Sequence, residues 1–295
     1  MSDQGTPTLA GLLRKATDSL AEAGIPSPSH DAHVLVAFSL GVPVGDLRTA
    51  AARGDAVPEA FSAAGLDALV ARRAGREPLQ HLTGLAPFRG IEIQVGPGVF
   101  VPRPETEVVA GAAIDAARAA GGPVRVVDLC SGSGAIGLAV AHEVPAARVT
   151  LIEVDDEAMG WLERNVEAAP REVSDRIEIV HADLSRALPE RSGSFDVVVA
   201  NPPYIPSDGV PVEPEAAHDP ARSLYGLGED GLEVPAAVVE TAARLLRRGG
   251  ILVMEHGVDQ GEAIREALAG SEAWEGVRTG QDLTGRDRFT LARRT

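Results

Sequence analysis

Residues 124–141 read VRVVDLCSGSGAIGLAVA, and this stretch decides the fold. Val124 to Leu129 form a short run rich in β-branched residues, as expected of a strand buried on both faces. The run breaks at Gly132-Ser133-Gly134, and a helical pattern begins near Ala135. Glycines let the backbone turn sharply and approach a ligand, while a helix N-terminus offers free N–H groups. In open α/β sheets ligands sit at the carboxyl ends of such strands.

Downstream of this unit the alternation continues. VTLIEV, RIEIV, FDVVVAN and GGILVMEHG read as strands with helical stretches between most of them, which implies a parallel sheet covered on both faces. WEGVRTG and RDRFTLARR close the chain with no helical pattern between them, so one of that pair should run antiparallel. Upstream, an Ala-rich helix runs from Glu105 to Gly121-Gly122. Before it, Ile91 to Val95 and Val99 to Val101 alternate around Gly96-Pro97-Gly98, the pattern of a β-hairpin. The remaining N-terminal part is helical. Thr8 caps LAGLLRKATDSLAEAG, Ser29 opens a second helix through HDAHVLVAFSL to Gly41, and FSAAGLDALVARRAG runs toward Gly75. Each helix has one apolar face to bury, so together they suggest a small domain.

The chain has 295 residues and a formal net charge of −16, from 43 acids against 27 Lys and Arg. Such a surface repels phosphate backbones and acidic membranes, so no direct nucleic-acid partner is expected. RRAGR and RLLRR are the visible basic clusters, each on a helix where a solvated face is the plain explanation. No apolar run approaches the ~20 residues of a membrane span, and the N-terminus lacks a signal-peptide layout. The single Cys130 fits a reducing compartment, and a cytoplasmic protein is the simplest reading. No His or Cys pairs at zinc-like spacing, so no metal is expected; His81, His142 and His256 read as packing or surface residues.

Gly132, Gly134 and Gly137 satisfy G-x-G-x-x-G, so a nicotinamide cofactor must be weighed. Two details favour another. Asp128 lies four residues before Gly132, where its carboxylate suits a cationic amino-acid group and would repel a pyrophosphate. Glu153 ends the next strand, where dehydrogenases and methyltransferases alike place an acid on a ribose. Asp183, in HADL after the third strand, is positioned for an adenine amino group. An acid after each of three strands fits a nucleoside with an amino-acid tail, S-adenosylmethionine. The bland alternative is exposed acids at loop starts in an acidic protein.

FDVVVANPPYIP, residues 195–206, ends the fourth strand in an amide and two prolines. Each proline fixes its own φ and pushes the preceding residue out of the helical region, so this corner is stiff and extended. The fourth strand lies next to the first in the usual order of such sheets, which turns Asn201 toward the cofactor's methyl group. A planar NH2 group carries two donors and needs two acceptors to hold it. The Asn201 side-chain oxygen and the Pro202 carbonyl supply both, Pro203 stiffens them, and Tyr204 offers a flat face.

DLCSGSG followed by NPPY resembles the S-adenosylmethionine-dependent methyltransferases of amino groups. Residues 80–107, QHLTGLAPFRGIEIQVGPGVFVPRPETE, with LVMEHGVDQGEAIR and DLTGRDR, are similar to the release factor glutamine methyltransferases. The resemblance covers nearly the whole chain and is weakest at its start. It implies an α/β fold: a seven-stranded Rossmann-like methyltransferase domain over 105–295, preceded by a helical substrate-binding domain over 1–83 and a β-hairpin connector over 84–104. It also implies N5-methylation of the glutamine in the Gly-Gly-Gln loop of peptide chain release factors. The family's cofactor loop falls on Cys130, Ser131, Gly132, Ser133 and Gly134, its ribose acid on Glu153, and its substrate motif on Asn201 to Tyr204. Phe100 to Glu105 fall near the active site, with Arg103 either positioning substrate or forming a salt bridge between domains. Cys130 stands where the family commonly has glycine, and Leu184 replaces an aromatic often found beside the adenine.

Three rivals share parts of this pattern. A DNA or RNA amino-methyltransferase could use the same Asn-Pro-Pro-Tyr, but it must hold phosphates with Lys and Arg, and the net charge of −16 and the absence of a basic insert argue against that. A ribosomal-protein glutamine methyltransferase carries the same motif. A catalytically silent cofactor-binding adaptor would not need Asn201 to Tyr204 intact.

Overall fold

A computed structural model describes residues 7–211 and 213–295. The chain separates into two compact units, Met1–Gly84 with Glu213–His218, and Leu85–Val212 with Asp219–Thr295.

The first unit is built on α1 (Leu9–Glu22), α2 (Pro28–Leu40), α3 (Val44–Arg53), α4 (Ala63–Ala74) and the short α5 (Leu79–Thr83). Thr8 caps α1 by accepting the Gly11 amide, and Gly41 ends α2 in a left-handed conformation. The second helix begins before Ser29, because Pro28 fits the first helical turn where no N–H is needed. Two helices went unread in the sequence, α3 and α5, both introduced by prolines at their N-caps. Leu20, Leu35, Val36, Leu47 and Leu66 form the core of this unit. The Arg73 guanidinium is buried and donates to Asp31 at 2.7 Å and to Glu215 at 2.9 Å, which ties the segment Glu213–His218 to α2 and α4. No single helix among the described residues is long and apolar enough to cross a bilayer; the bent pair α2 and α3 passes on length and composition, yet much of α2 faces this core.

The second unit starts with a hairpin, β1 (Leu85–Phe88) and β2 (Ile91–Gln94), paired antiparallel. The hairpin expected around Gly-Pro-Gly is therefore displaced. The partner of Ile91–Gln94 lies upstream, across a two-residue turn in which Arg89 and Gly90 both have positive φ, 45° and 78°. Val99 to Val101 form no strand. Gly96 sits against the Trp161 ring, with only 2.5 Å between that ring and where a Cβ would stand, and the Trp161 indole donates to the Pro97 carbonyl. That packing takes the place of a ladder.

The helix α6 (Thr106–Ala120) then leads into the main sheet, made of β3 (Val124–Leu129), β4 (Ala147–Glu153), β5 (Ile177–His181), β6 (Phe195–Ala200), β7 (Leu246–Glu255), β8 (Trp274–Gln281) and β9 (Asp287–Arg294). Their order is β5-β4-β3-β6-β7-β9-β8, parallel except for β9, which runs antiparallel to both neighbours. The helices α7 (Ala135–Glu143), α8 (Asp156–Ala168), α9 (Arg171–Ser174), α10 (Ala221–Leu224), α11 (Glu233–Leu245) and α12 (Gly261–Ala269) complete the unit. Alternate residues of β6 serve different cores: Val197 and Val199 join Ile114 and Leu138 on one face, while Val198 and Ala200 join Val238 and Leu245 on the other. Burial on both faces explains why the strand reads as an unbroken apolar run.

Candidate active site

The pairing of β3 with β6 places Leu129 opposite Ala200, so Cys130 and Asn201 leave the sheet side by side. A cavity of about 550 Å³ opens there, within the range of cofactor sites. Its wall takes in Phe100, the loop Cys130–Ser133, Glu153, Asp183 with Leu184, and the run Asn201–Tyr204. The loop's conformation explains its composition. Cys130 adopts φ 62°, the left-handed region that glycine occupies most easily, and Gly132 follows at φ 54° with nothing within 4 Å of where a Cβ would stand. Burial pushes the Cys130 thiol well above its ordinary pKa, with the charges of Glu153 and Asp128 adding to the effect, so it is a neutral wall residue.

Glu153 organises this end of the sheet. One oxygen accepts the Gly132 amide at 2.7 Å, and the other accepts those of Val154 at 2.7 Å and Asp155 at 2.9 Å. A carboxylate has about four acceptor positions, so one remains for a hydroxyl such as a ribose presents. Asp183 directs one oxygen to the amide and hydroxyl of Ser185, at 2.9 and 2.6 Å, and the hydroxyl holds its pKa below the usual carboxylate value. Its second oxygen has no donor among the described residues, which suits an amino group. Leu184 beside it is half-buried and gives an apolar wall without a ring.

Three predicted positions stand behind the wall instead of on it. Gly134 caps α7, packed so that a Cβ would lie 2.5 Å from Leu162. Asp128 is buried, and its Oδ2 accepts the Gly137 amide at 2.9 Å, so it braces the start of α7 where contact with a cofactor's cationic group was expected. Arg103 donates to Asp219 at 2.5 Å and stacks over Phe100 with 5.0 Å to the ring centroid. Asp219 also accepts the Val101 amide, so it joins the Phe100 wall to the Pro220–Tyr225 wall. Both partners belong to the sheet unit, so this salt bridge is internal to it.

The Asn-Pro-Pro-Tyr corner is clamped from outside. The Leu224 carbonyl accepts the amides of Tyr204 and Ile205, and Gln260 donates to the Tyr204 carbonyl at 2.8 Å. Gly226 and Gly231 press against its backbone; a Cβ on Gly231 would lie 2.3 Å from the Tyr204 carbonyl oxygen. Among the described residues no donor engages the Asn201 Oδ1 or the Pro202 carbonyl, and both residues line the cavity. The Asn201 amide nitrogen donates to Thr106 Oγ1 at 3.4 Å, and Thr106 lines the same cavity. Asp219, Gly226, Gly231 and Gln260 escaped the sequence reading. Their one visible signal is the glycine spacing of LYGLGEDG, residues 224–231.

The strand order, with its antiparallel insertion, is that of S-adenosylmethionine-dependent methyltransferases. The T. thermophilus 16S rRNA N2 G1207 methyltransferase, solved with AdoMet and guanosine, shares the fold with a TM-score of 0.51 and 22% identity over 72% of this chain and 50% of that one. Sequence similarity is far more specific. The family models described as "PrmC N-terminal domain" and "Conserved hypothetical protein 95" match residues 11–84 and 83–214. The release factor glutamine methyltransferase of Streptomyces coelicolor is 46% identical over 96% of both chains. A 4-amino-L-phenylalanine/4-methylamino-L-phenylalanine methyltransferase of Streptomyces pristinaespiralis is 39% identical over 91% of this chain and 89% of its own. The chain belongs to the release factor glutamine methyltransferase family.

Proposed function

We propose that this protein transfers a methyl group from S-adenosylmethionine to the side-chain amide nitrogen of a glutamine, the one in the Gly-Gly-Gln motif of a peptide chain release factor. The observation that carries this reading is the pair of unengaged acceptors, Asn201 Oδ1 and the Pro202 carbonyl, on a rigid corner beside the glycine loop. A carboxamide nitrogen is a poor nucleophile because its lone pair is delocalised. Two acceptors that take both of its protons orient that lone pair, and orientation of this kind contributes up to ~7 to 11 kcal/mol. Tyr204 and Pro203 hold the plane of the amide.

The cofactor, when bound, supplies an electrophilic methyl carbon on a sulfonium. Glu153 would take a ribose hydroxyl on its remaining acceptor position, Asp183 the adenine amino group, and the loop Cys130–Ser133 would lie along the cofactor. Phe100 and Leu184 exclude water from either side. The new N–C bond would form as the methyl's bond to sulfur breaks, leaving the neutral thioether S-adenosylhomocysteine, and the methylated nitrogen would then lose one of its two protons to water. The helical domain, residues 1–83, would hold the release factor.

A second reading has one observation in its favour, the aromatic-amine methyltransferase that is 39% identical to this chain. An arylamine also presents a conjugated NH2 that two acceptors can grip. The experiment is radiolabelled methyl transfer to purified release factor, to its Gln-to-Ala loop variant and to 4-amino-L-phenylalanine. Label on the release factor alone supports the first reading, and label on the free amino acid alone sinks it.

A further inference from the structure

Pro202 and Pro203 carry no N–H, so after Asn201 the first main-chain donor is that of Tyr204. The Tyr204 amide goes to the Leu224 carbonyl, and its carbonyl accepts Gln260 Nε2 at 2.8 Å. The same Nε2 donates to the Asp230 carbonyl at 2.8 Å, while Gln260 Oε1 accepts the Gly257 amide at 2.9 Å. One carboxamide thus joins three segments: the corner after β6, the loop 224–231 and the turn after β7. Its orientation follows from its inventory of two protons and one oxygen. Turned over, it would set donors against the Gly257 N–H and its oxygen against two carbonyls. The side chain also springs from a fixed base. Gln260 is the N-cap of α12, with its own amide on the Gly257 carbonyl at 3.1 Å and its carbonyl accepting the Ile264 amide at 3.1 Å. Ile264 and Leu268 of that helix are buried in the core that Val198 and Ala200 of β6 share.

We propose that Gln260 is a positioning residue for methyl transfer, whose side-chain NH2 fixes the Asn-Pro-Pro-Tyr corner by holding the Tyr204 and Asp230 carbonyls together. The inference rests on the reading of Asn201 Oδ1 and the Pro202 carbonyl as the grip on the substrate amide, and adds the strut behind them. Gln260 itself stands outside the cavity wall, so it acts through Tyr204. Two carbonyl oxygens aimed at one point repel each other unless a donor lies between them. Gly231 lets the loop come that close, since a Cβ there would lie 2.3 Å from the Tyr204 carbonyl oxygen. Without the shared NH2 the two carbonyls part, the peptide plane after Tyr204 turns, and the stiff Pro203 carries the displacement to Pro202. A misplacement of about 1 Å is enough to slow an oriented reaction about 100-fold. Glu153 and Asp183, at the ends of β4 and β5, are left as they were. Turnover and cofactor affinity should therefore separate.

The test compares Gln260→Glu and Gln260→Met in the full-length chain. Gln260→Glu keeps the size of the side chain and the acceptor for Gly257 but sets a carboxylate against two carbonyls; Gln260→Met keeps the length and removes the donors. Both are expected to lower kcat on release factor by about 10- to 100-fold, with the dissociation constant for S-adenosylmethionine within about twofold of wild type. Wild-type kcat in either variant, or a cofactor affinity that falls as far as kcat, would overturn the proposal. If Gln260→Met does not fold, the isosteric Gln260→Glu decides alone. A further arm needs no methyl acceptor. The chain has two tyrosines, Tyr204 and Tyr225, so protein labelled with 13C at the tyrosine carbonyl gives two signals, told apart with Tyr225→Phe. The Tyr204 signal should shift in the Gln260 variants, and an unmoved signal refutes the clamp. If wild-type protein fails to label release factor, the functional reading falls while this signal still decides the clamp.

Discussion

Arg103 and Asp219 form an ion pair at 2.5 Å, with the Asp219 side chain wholly shielded from solvent and that of Arg103 14% exposed. It links two segments 116 residues apart in sequence, both of which contribute to the cavity wall. Removing one partner of a buried pair strands the other charge, at a cost of about 3 to 5 kcal/mol. Asp219→Ala is therefore expected to lower the unfolding free energy in urea by that order and to raise KM for the methyl acceptor. An unchanged urea midpoint would mean the pair carries no stability.

Gly231 adopts φ 73°, and its Cα faces the Tyr204 carbonyl. Gly231→Ala combines left-handed strain with a clash against backbone, which cannot rotate away. A loss of about 1 to 3 kcal/mol in stability is expected, together with a fall in kcat as the corner shifts. Calorimetric melting and steady-state kinetics measure the two effects, and wild-type turnover would show that the corner tolerates displacement.

Glu153 and Asn201 should separate cleanly. Glu153→Ala removes an acceptor that holds one amide of the glycine loop and two of the turn after β4. Titration calorimetry should show cofactor affinity weakened by about 10-fold or more. Asn201→Ala should keep cofactor affinity and lose about 100-fold in kcat, since only acceptor orientation is removed. Reversed phenotypes would exchange the two roles.

Asp128 gives a pH dependence of opposite sign to that of a salt-bridged acid. Burial pushes its carboxyl up to about 8, against the hydrogen bond from Gly137 and with the Glu153 charge adding to the rise. Its Oδ1 has no partner among the described residues, which fits a protonated acid. Because the folded pKa lies above the unfolded one, this contribution to stability is full below about pH 4 and is lost as pH rises through about 8. The unfolding free energy should decline over that window, by at most about 1.4 kcal/mol per pH unit for this group. Asp128→Asn keeps an acceptor for the Gly137 amide and should flatten the decline; an equal slope in both proteins would place the titration elsewhere.

By itself the sequence determined the alternation of strands and helices, the antiparallel strand near the end, the glycine turn after β3 and the stiff corner after β6. Those features are local: each follows from apolar periodicity, from a positive φ or from a proline ring, and none needs a distant partner. Tertiary structure alone decided that Asp128 braces a helix, that Arg103 belongs to Asp219, and that the hairpin partner of Ile91–Gln94 is Leu85–Phe88. It also brought Thr106 to Asn201. A charged or polar side chain finds its partner through space, and the identity of that partner is not written in the residues next to it. The pattern gave Asp128 a carboxylate near a ligand loop; its burial and its bond to the Gly137 amide come only from the assembled sheet and α7.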